Sequence, residues 1–400
     1  MAPTASNPNP PLLPVDQGPR LILYHQTHHD RNGSSISILP LVLNPTGITH
    51  VIIAAIHLNE GPGNITLNDD VPDARKFDAL WGEVAWLKGT GVKVMGMLGG
   101  AAKGSFWRLS GSEEEFEAYY RPLYALIHAR NLDGLDLDIE EPVPLHTCTR
   151  LLTRLRTDFG PSFILTLAPV ATALLRLPAN YELPPASDEL PPVLVPPADT
   201  FPMSLPQLSG FSYFALEASE AGRLVSWYNT QFYCGWGEAR TTQWYDAIIA
   251  TGWNPNRVVM GLVTNPGNGA GFVDTPLMSQ VLRSLRSKYP NFGGIMGWEH
   301  FNALDEGFAN EIGADEDDKG PWRWAMRLGR VLRTEIPSNP DITFIEQLVS
   351  GLPQLPTPQT SWPPEDIQTL MDLGFDRPRV IAALNATSGA VDMAASLLFE

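Results

Sequence analysis

Asp136, Asp138 and Glu140 stand at alternate positions in the run Asp133-Gly134-Leu135-Asp136-Leu137-Asp138-Ile139-Glu140. Side chains alternate across a β-strand, so the three carboxyls share one face, and Leu135, Leu137 and Ile139 share the other. Three carboxylates on a buried face are costly unless they are hydrogen-bonded or partly protonated. Crowded like charges force at least one of them to keep a proton near neutral pH. A protonated carboxyl can protonate a leaving alcohol, which is general-acid work. Glu140, at the C-terminal end of the run, is the expected acid. A Mg²⁺ or Ca²⁺ site is the competing reading, but no phosphate loop or further ligand set accompanies the acids. Neither a metal nor a cofactor is expected.

These acids need a frame that turns one strand face inward. Eight β-rich runs alternate with helical patterns, at 20–26, 50–57, 92–98, 134–140, 163–169, 224–233, 257–263 and 293–298. This alternation predicts the α/β class and a closed (β/α)8 TIM barrel over residues 19–335. A doubly wound sheet has the same periodicity, but no Gly-rich dinucleotide loop follows the first run. In a barrel the acidic face would point inward, with Glu140 at the functional end of the strands. Phe77, Leu80, Trp81, Val84 and Leu87 fall on one helix face. Ser112 and Glu115 read as a capping box. Leu151, Leu152 and Leu155 mark the helix after the acidic run. The Pro-rich stretch 172–223 follows the fifth strand and reads as a lid, a binding loop or a surface excursion.

The 400 residues carry a net charge of −17, which disfavours nucleic acid and anionic membranes as partners. The two cysteines cannot build a disulfide framework. Residues 1–18 are rich in Pro and Asn, read as a disordered tail, and lack the pattern of a secretory signal. No stretch is long and apolar enough to span a bilayer. A cytoplasmic location is the expectation. Residues 336–363 read as a Pro-stiffened linker, and 364–400 as a small three-helix domain.

The run Asp133–Glu140 resembles the DGxDxDxE signature of glycoside hydrolase family 18, which holds chitinases and endo-β-N-acetylglucosaminidases. Met95-Gly96-Met97-Leu98-Gly99-Gly100 resembles that family's third-strand Gly-Gly segment. Trp227–Tyr233 resembles its sixth strand, and Gly293–Trp298 its eighth. The likeness covers residues 19–335; the 172–223 stretch departs from the minimal pattern. It implies a substrate-assisted, retaining mechanism at a GlcNAc-β-1,4-GlcNAc bond, in which the sugar's acetamide oxygen attacks the anomeric carbon. Glu140 would protonate the leaving oxygen and then activate water. Asp138 would orient the acetamide and Asp136 would share a proton with Asp138. Tyr233 would bond the acetamide carbonyl with Gln231 beside it, Trp298 would floor the sugar site, and Tyr24 would line it. Asp133 would brace the strand.

In the last 37 residues, three apolar stripes run through Ile367, Leu370 and Met371, then Val380, Ile381 and Leu384, then Val391, Ala394, Ala395, Leu397 and Leu398. With the Leu373-Gly374-Phe375 turn, they resemble a ubiquitin-associated (UBA) domain. In that family the turn and third helix form an exposed apolar patch that docks on ubiquitin. The resemblance carries that role to Leu373, Gly374, Phe375, Leu397 and Leu398. Chitooligosaccharides and N-glycans of misfolded glycoproteins contain the same bond, and both stay open as substrates. A non-catalytic lectin, or an adaptor that recruits ubiquitinated cargo, is the reading from another class.

Overall fold

The computed structural model describes residues 18–177, 203–204, 207–305, 320–334, 362–375 and 377–386, together with 391, 394, 395 and 398. The expected N-terminal tail (apart from Gly18), most of the expected linker and Leu397 lie outside these residues. The chain divides into two compact units, one holding the acidic run and the other the C-terminal helices.

The first unit is a closed barrel of eight parallel strands. They are β1 (Arg20–His25), β2 (His50–Leu58), β3 (Lys93–Gly99), β4 (Gly134–Asp138), β5 (Ile164–Leu167), β6 (Trp227–Gln231), β7 (Val258–Val263) and β8 (Gly294–Trp298). Each pairs in parallel with the next, and β8 pairs with β1 to close the ring. All eight coincide with the expected runs. A short antiparallel strand, Ile65–Leu67, also pairs with β2; it is too short to show an alternating pattern.

Helices α1 (Pro40–Leu43), α2 (Asp78–Gly89), α3 (Glu113–Ala129), α4 (Leu145–Phe159), α5 (Tyr213–Ala218), α6 (Gln243–Ala250), α7 (Thr275–Lys288) and α8 (Trp322–Arg333) follow the strands in turn. The capping box of α3 forms as expected. Ser112 Oγ accepts from Glu115 N, and Glu115 Oε2 accepts from Ser112 N. Such a cap holds about 0.5–2 kcal/mol. Leu80, Val84 and Leu87 bury the inner face of α2, and Leu151, Leu152 and Leu155 that of α4. The end of the 172–223 stretch corrects the reading of an irregular excursion, because it contains α5. Ser212 caps that helix, and Tyr213 and Leu216 are buried. Six residues are too few for a helical period to show. Residues 178–202, where a lid would lie, are outside those described.

The strands separate two cores by their alternation. Leu135, Leu137 and Ile139 join the large apolar layer between strands and helices. Ile22, Ile52, Met95, Met97, Val259 and Met296 fill the barrel interior together with Tyr24 and Trp227. The acids of β4 point into this interior, as the period-two pattern requires.

The second unit contains α9 (Pro364–Met371) and α10 (Arg377–Ala386), with residues 391, 394, 395 and 398 also helical. Ile367, Leu370, Val380, Leu384, Ala394 and Leu398 make its core. The three apolar stripes therefore meet as their spacing predicts.

Candidate active site

Two glycines prepare the position of the acids. Gly99 and Gly100 end β3 with φ of +95° and +91°, which glycine adopts without steric cost. A Cβ on Gly99 would sit 2.4 Å from the Asp138 carbonyl oxygen. The close approach lets Gly100 N donate to that oxygen at 2.9 Å. At the other end of β4, Asp133 braces the strand as expected. It accepts from Val94 N at 2.8 Å and pairs with Lys88 at 2.9 Å.

Asp136 lies deepest and is fully buried. Tyr24 Oη donates to its Oδ2 at 2.6 Å, and Thr166 Oγ1 and Asn229 Nδ2 donate to its Oδ1 at 2.5 and 3.0 Å. Charge-assisted bonds of this kind are short and strong. Burial raises the Asp136 carboxyl above the ordinary range, and the three donors work against that rise. The donors come from β1, β5 and β6, so three strands fix one carboxyl.

Asp138 is also buried. Burial, then the charges of Glu140 and Asp136, push its carboxyl well above the usual value. Glu140 is half-buried, two residues beyond the end of β4. Burial raises its carboxyl too, opposed by Gln231 and by the positive charge of Lys103. Both carboxyls are thus shifted towards their protonated forms. Gln231 Nε2 lies between them, 3.3 Å from Asp138 Oδ1, 3.4 Å from Glu140 Oε1 and 3.0 Å from Ala168 O.

Around this pair the structure gathers the other expected residues. Tyr233 is 8% exposed, within the interior cluster, just past β6. Burial, then Asp138 and Glu140, hold its hydroxyl in the protonated form. Trp298 ends β8 half-buried, with its ring centroid 5.4 Å from that of Tyr24. Tyr24 differs from expectation. It is 1% exposed and its hydroxyl is committed to Asp136, so it supports the acids rather than lining the pocket.

Three site residues were missed from sequence. Asn229 stands two positions before Gln231, on the same strand face, and that alternation could have found it. Thr166 is the register partner of Asp136 across β4 and β5, which shows only once register is known. Lys103 lies on a loop where no periodicity points anywhere.

In the C-terminal unit, Leu373 is 45% exposed, and Gly374 has φ +98° in the turn after α9. Phe375 packs partly against the small core. Leu398 corrects the expected patch: it is 5% exposed and is a core residue. Its hydrophobic face is needed inside, because so small a unit has little else to bury.

Comparison with known proteins agrees with this arrangement. Residues 363–398 match the model of the UBA/TS-N domain. A stretch of 49 residues is 47% identical to DNA damage-inducible protein 1 of Cryptococcus neoformans. The chain spans about a tenth of that relative's length, 11%. A chitinase structure, ChiC from Aspergillus fumigatus, is 48% identical with a TM-score of 0.64, covering 78% of this chain and 98% of that one. A fungal endo-β-N-acetylglucosaminidase of glycosyl hydrolase family 18 is 42% identical with a TM-score of 0.66, covering 80% and 99%. The model of glycosyl hydrolases family 18 matches residues 20–325, and the chain, a glycoside hydrolase, belongs to that family.

Proposed function

We propose that this hydrolase cleaves GlcNAc-β-1,4-GlcNAc bonds within chains, by a retaining, substrate-assisted mechanism, with chitin-type oligosaccharides as its substrate. The observation that carries this reading is the Asp138–Glu140 pair, joined through Gln231, above an Asp136 that three donors already occupy. Asp136 is too enclosed to attack an anomeric carbon, and Asp138 favours its protonated form. A nucleophile from the substrate's own acetamide fits such a site. Glu140 gives its proton to the leaving oxygen and takes one back from water. Asp138 and Tyr233 hold the acetamide, and Trp298 lies beneath the sugar.

A second reading is favoured by the UBA/TS-N match and by likeness to the fungal endo-β-N-acetylglucosaminidase. Here the same site cuts the chitobiose core of N-glycans in the cytosol, and the C-terminal unit brings ubiquitinated glycoproteins to it through Leu373, Gly374 and Phe375. Incubating the protein with a chitooligosaccharide and with a high-mannose N-glycan, side by side, separates the two. Under the first reading the chitooligosaccharide turns over at least about tenfold faster, and its newly formed reducing end starts as the β-anomer. The same oligosaccharide without its N-acetyl groups should not turn over. Its cleavage would overturn the acetamide mechanism, and turnover of neither glycan would favour a lectin.

A further inference from the structure

Two glutamates at the barrel mouth each follow a site residue by one position, and each grips the loop of the neighbouring strand. Glu141, beside Glu140, accepts from Gly104 N and Phe106 N at 2.9 and 2.8 Å. Glu299, beside Trp298, is 5% exposed; its Oε2 accepts from Gln26 N and Thr27 N at 2.9 and 2.8 Å, and its Oε1 from Thr27 Oγ1 at 2.8 Å. Two successive backbone amides aimed at one point form a concavity that favours an anion. Here the chain fills it with its own carboxylate.

Glu299 has the larger consequence, because both segments it joins carry an aromatic ring of the site. Trp298 precedes it directly, and Gln26 and Thr27 lead out of β1 just past Tyr24. The Trp298 and Tyr24 rings pack with centroids 5.4 Å apart, tilted by 56°, and the Tyr24 hydroxyl holds Asp136. Towards β7 the Trp298 segment is held through its carbonyls. Thr264 N and Asn268 Nδ2 donate to Trp298 O at 2.9 and 3.0 Å, and Thr264 Oγ1 donates to Glu299 O at 2.6 Å. Towards β1, His300 N donates to Tyr24 O at 2.8 Å and ties the strand ends. The Glu299 side chain adds a second link to that strand, further out. The Trp298 ring itself is half-buried, so packing encloses only part of it.

We infer that Glu299 is a positioning residue for sugar binding: by anchoring the Trp298 segment to residues 26–27, it holds the Trp298 ring against Tyr24 as a floor for a GlcNAc ring. The inference rests on the reading that Trp298 lies beneath the sugar.

The test is a double-variant cycle on the binding of a chitooligosaccharide. Affinity is read by titration calorimetry on the full chain carrying Glu140→Gln, so that the ligand is not consumed. Trp298→Ala should weaken binding by about tenfold or more, as truncating an aromatic anchor does. Glu299→Ala should weaken it by roughly three- to tenfold. Added to Trp298→Ala, it should change binding by less than about twofold, since the ring it positions is already gone. Glu299→Gln should bind within about twofold of its parent. Its amide oxygen can accept from both backbone N–H groups while its NH₂ donates to Thr27 Oγ1, so the grip survives the loss of charge. Losses that multiply in the double variant overturn the inference, as does a loss in Glu299→Gln equal to that in Glu299→Ala. A merely structural Glu299 would lower the melting temperature and leave the affinity of the folded protein unchanged, which also overturns it. The bond from His300 to Tyr24 is still present in Glu299→Ala and favours its folding. Should that variant not fold, Glu299→Asp shortens the reach by one methylene and should weaken binding by about twofold or more, again only while Trp298 is present. A Trp298→Ala chain that binds like its parent would instead overturn the sugar-floor reading, whatever the Glu299 variants do.

Discussion

Asp136 in the barrel is fully buried and held by three donors, whereas Leu373 in the C-terminal unit is 45% exposed on a turn. The contrast matches the roles proposed for each. Proton transfer needs carboxyls whose affinities are moved by burial and by each other. Docking needs apolar surface that is still in water before the partner arrives. In the barrel, then, a buried polar residue points to function. In the small unit a buried apolar residue such as Leu398 points only to the core.

The largest effect should come from the barrel. Glu140→Gln removes the acid at a half-buried position and should lower kcat by about 10²–10⁴, with an unchanged circular dichroism spectrum. Near-normal turnover would break the assignment. Next come the two leucines of the C-terminal unit. Leu398→Ala should cost about 2–5 kcal/mol, enough to unfold so small a unit, while hydrolysis by the barrel continues. Leu373→Ala should leave its melting within about 0.5 kcal/mol of wild type and weaken ubiquitin binding several-fold, read by titration calorimetry. If Leu398→Ala melts like wild type, the contrast between core and surface there is wrong.

The smallest effect has the opposite sign. The folded Asp138 carboxyl is raised well above its usual value, first by burial and then by its acidic neighbours. Its contribution to stability is present below the unfolded-state value, near 3.9, and is lost as pH rises towards the folded value. Asp138→Asn removes that loss. It should raise the melting temperature at pH 7 by a few degrees, the scale on which about 1 kcal/mol acts in a domain of more than 150 residues. The gain should vanish near pH 3, while activity falls. Calorimetry across pH 3–7 checks both the sign and the window.

Much of the barrel was legible because strand alternation and helical spacing repeat over long segments. The three acids could be placed on one face from period two, while Gln231 came from the resemblance of Trp227–Tyr233 to the family's sixth strand. Helix α5 was not legible, since six residues hold less than two turns. Thr166 and Tyr24 show why roles are harder to read than faces. Thr166 reaches Asp136 through register, and the Tyr24 hydroxyl is committed by a distance that only the closed ring creates. Glu141 was passed over because period two assigns it to the face opposite Glu140, and its bonds to the Gly104 and Phe106 amides leave no trace in spacing.

The donors of Asp136 also bear on the order in which the molecule can be made. Tyr24 precedes Asp136 by 112 residues, while Thr166 follows it by 30 and Asn229 by 93. During synthesis the carboxyl is added to the chain before two of its three donors. A fragment that stops short of Asn229 either leaves that acid in water or buries it one donor short. The barrel therefore does not divide into a working half and a dispensable one.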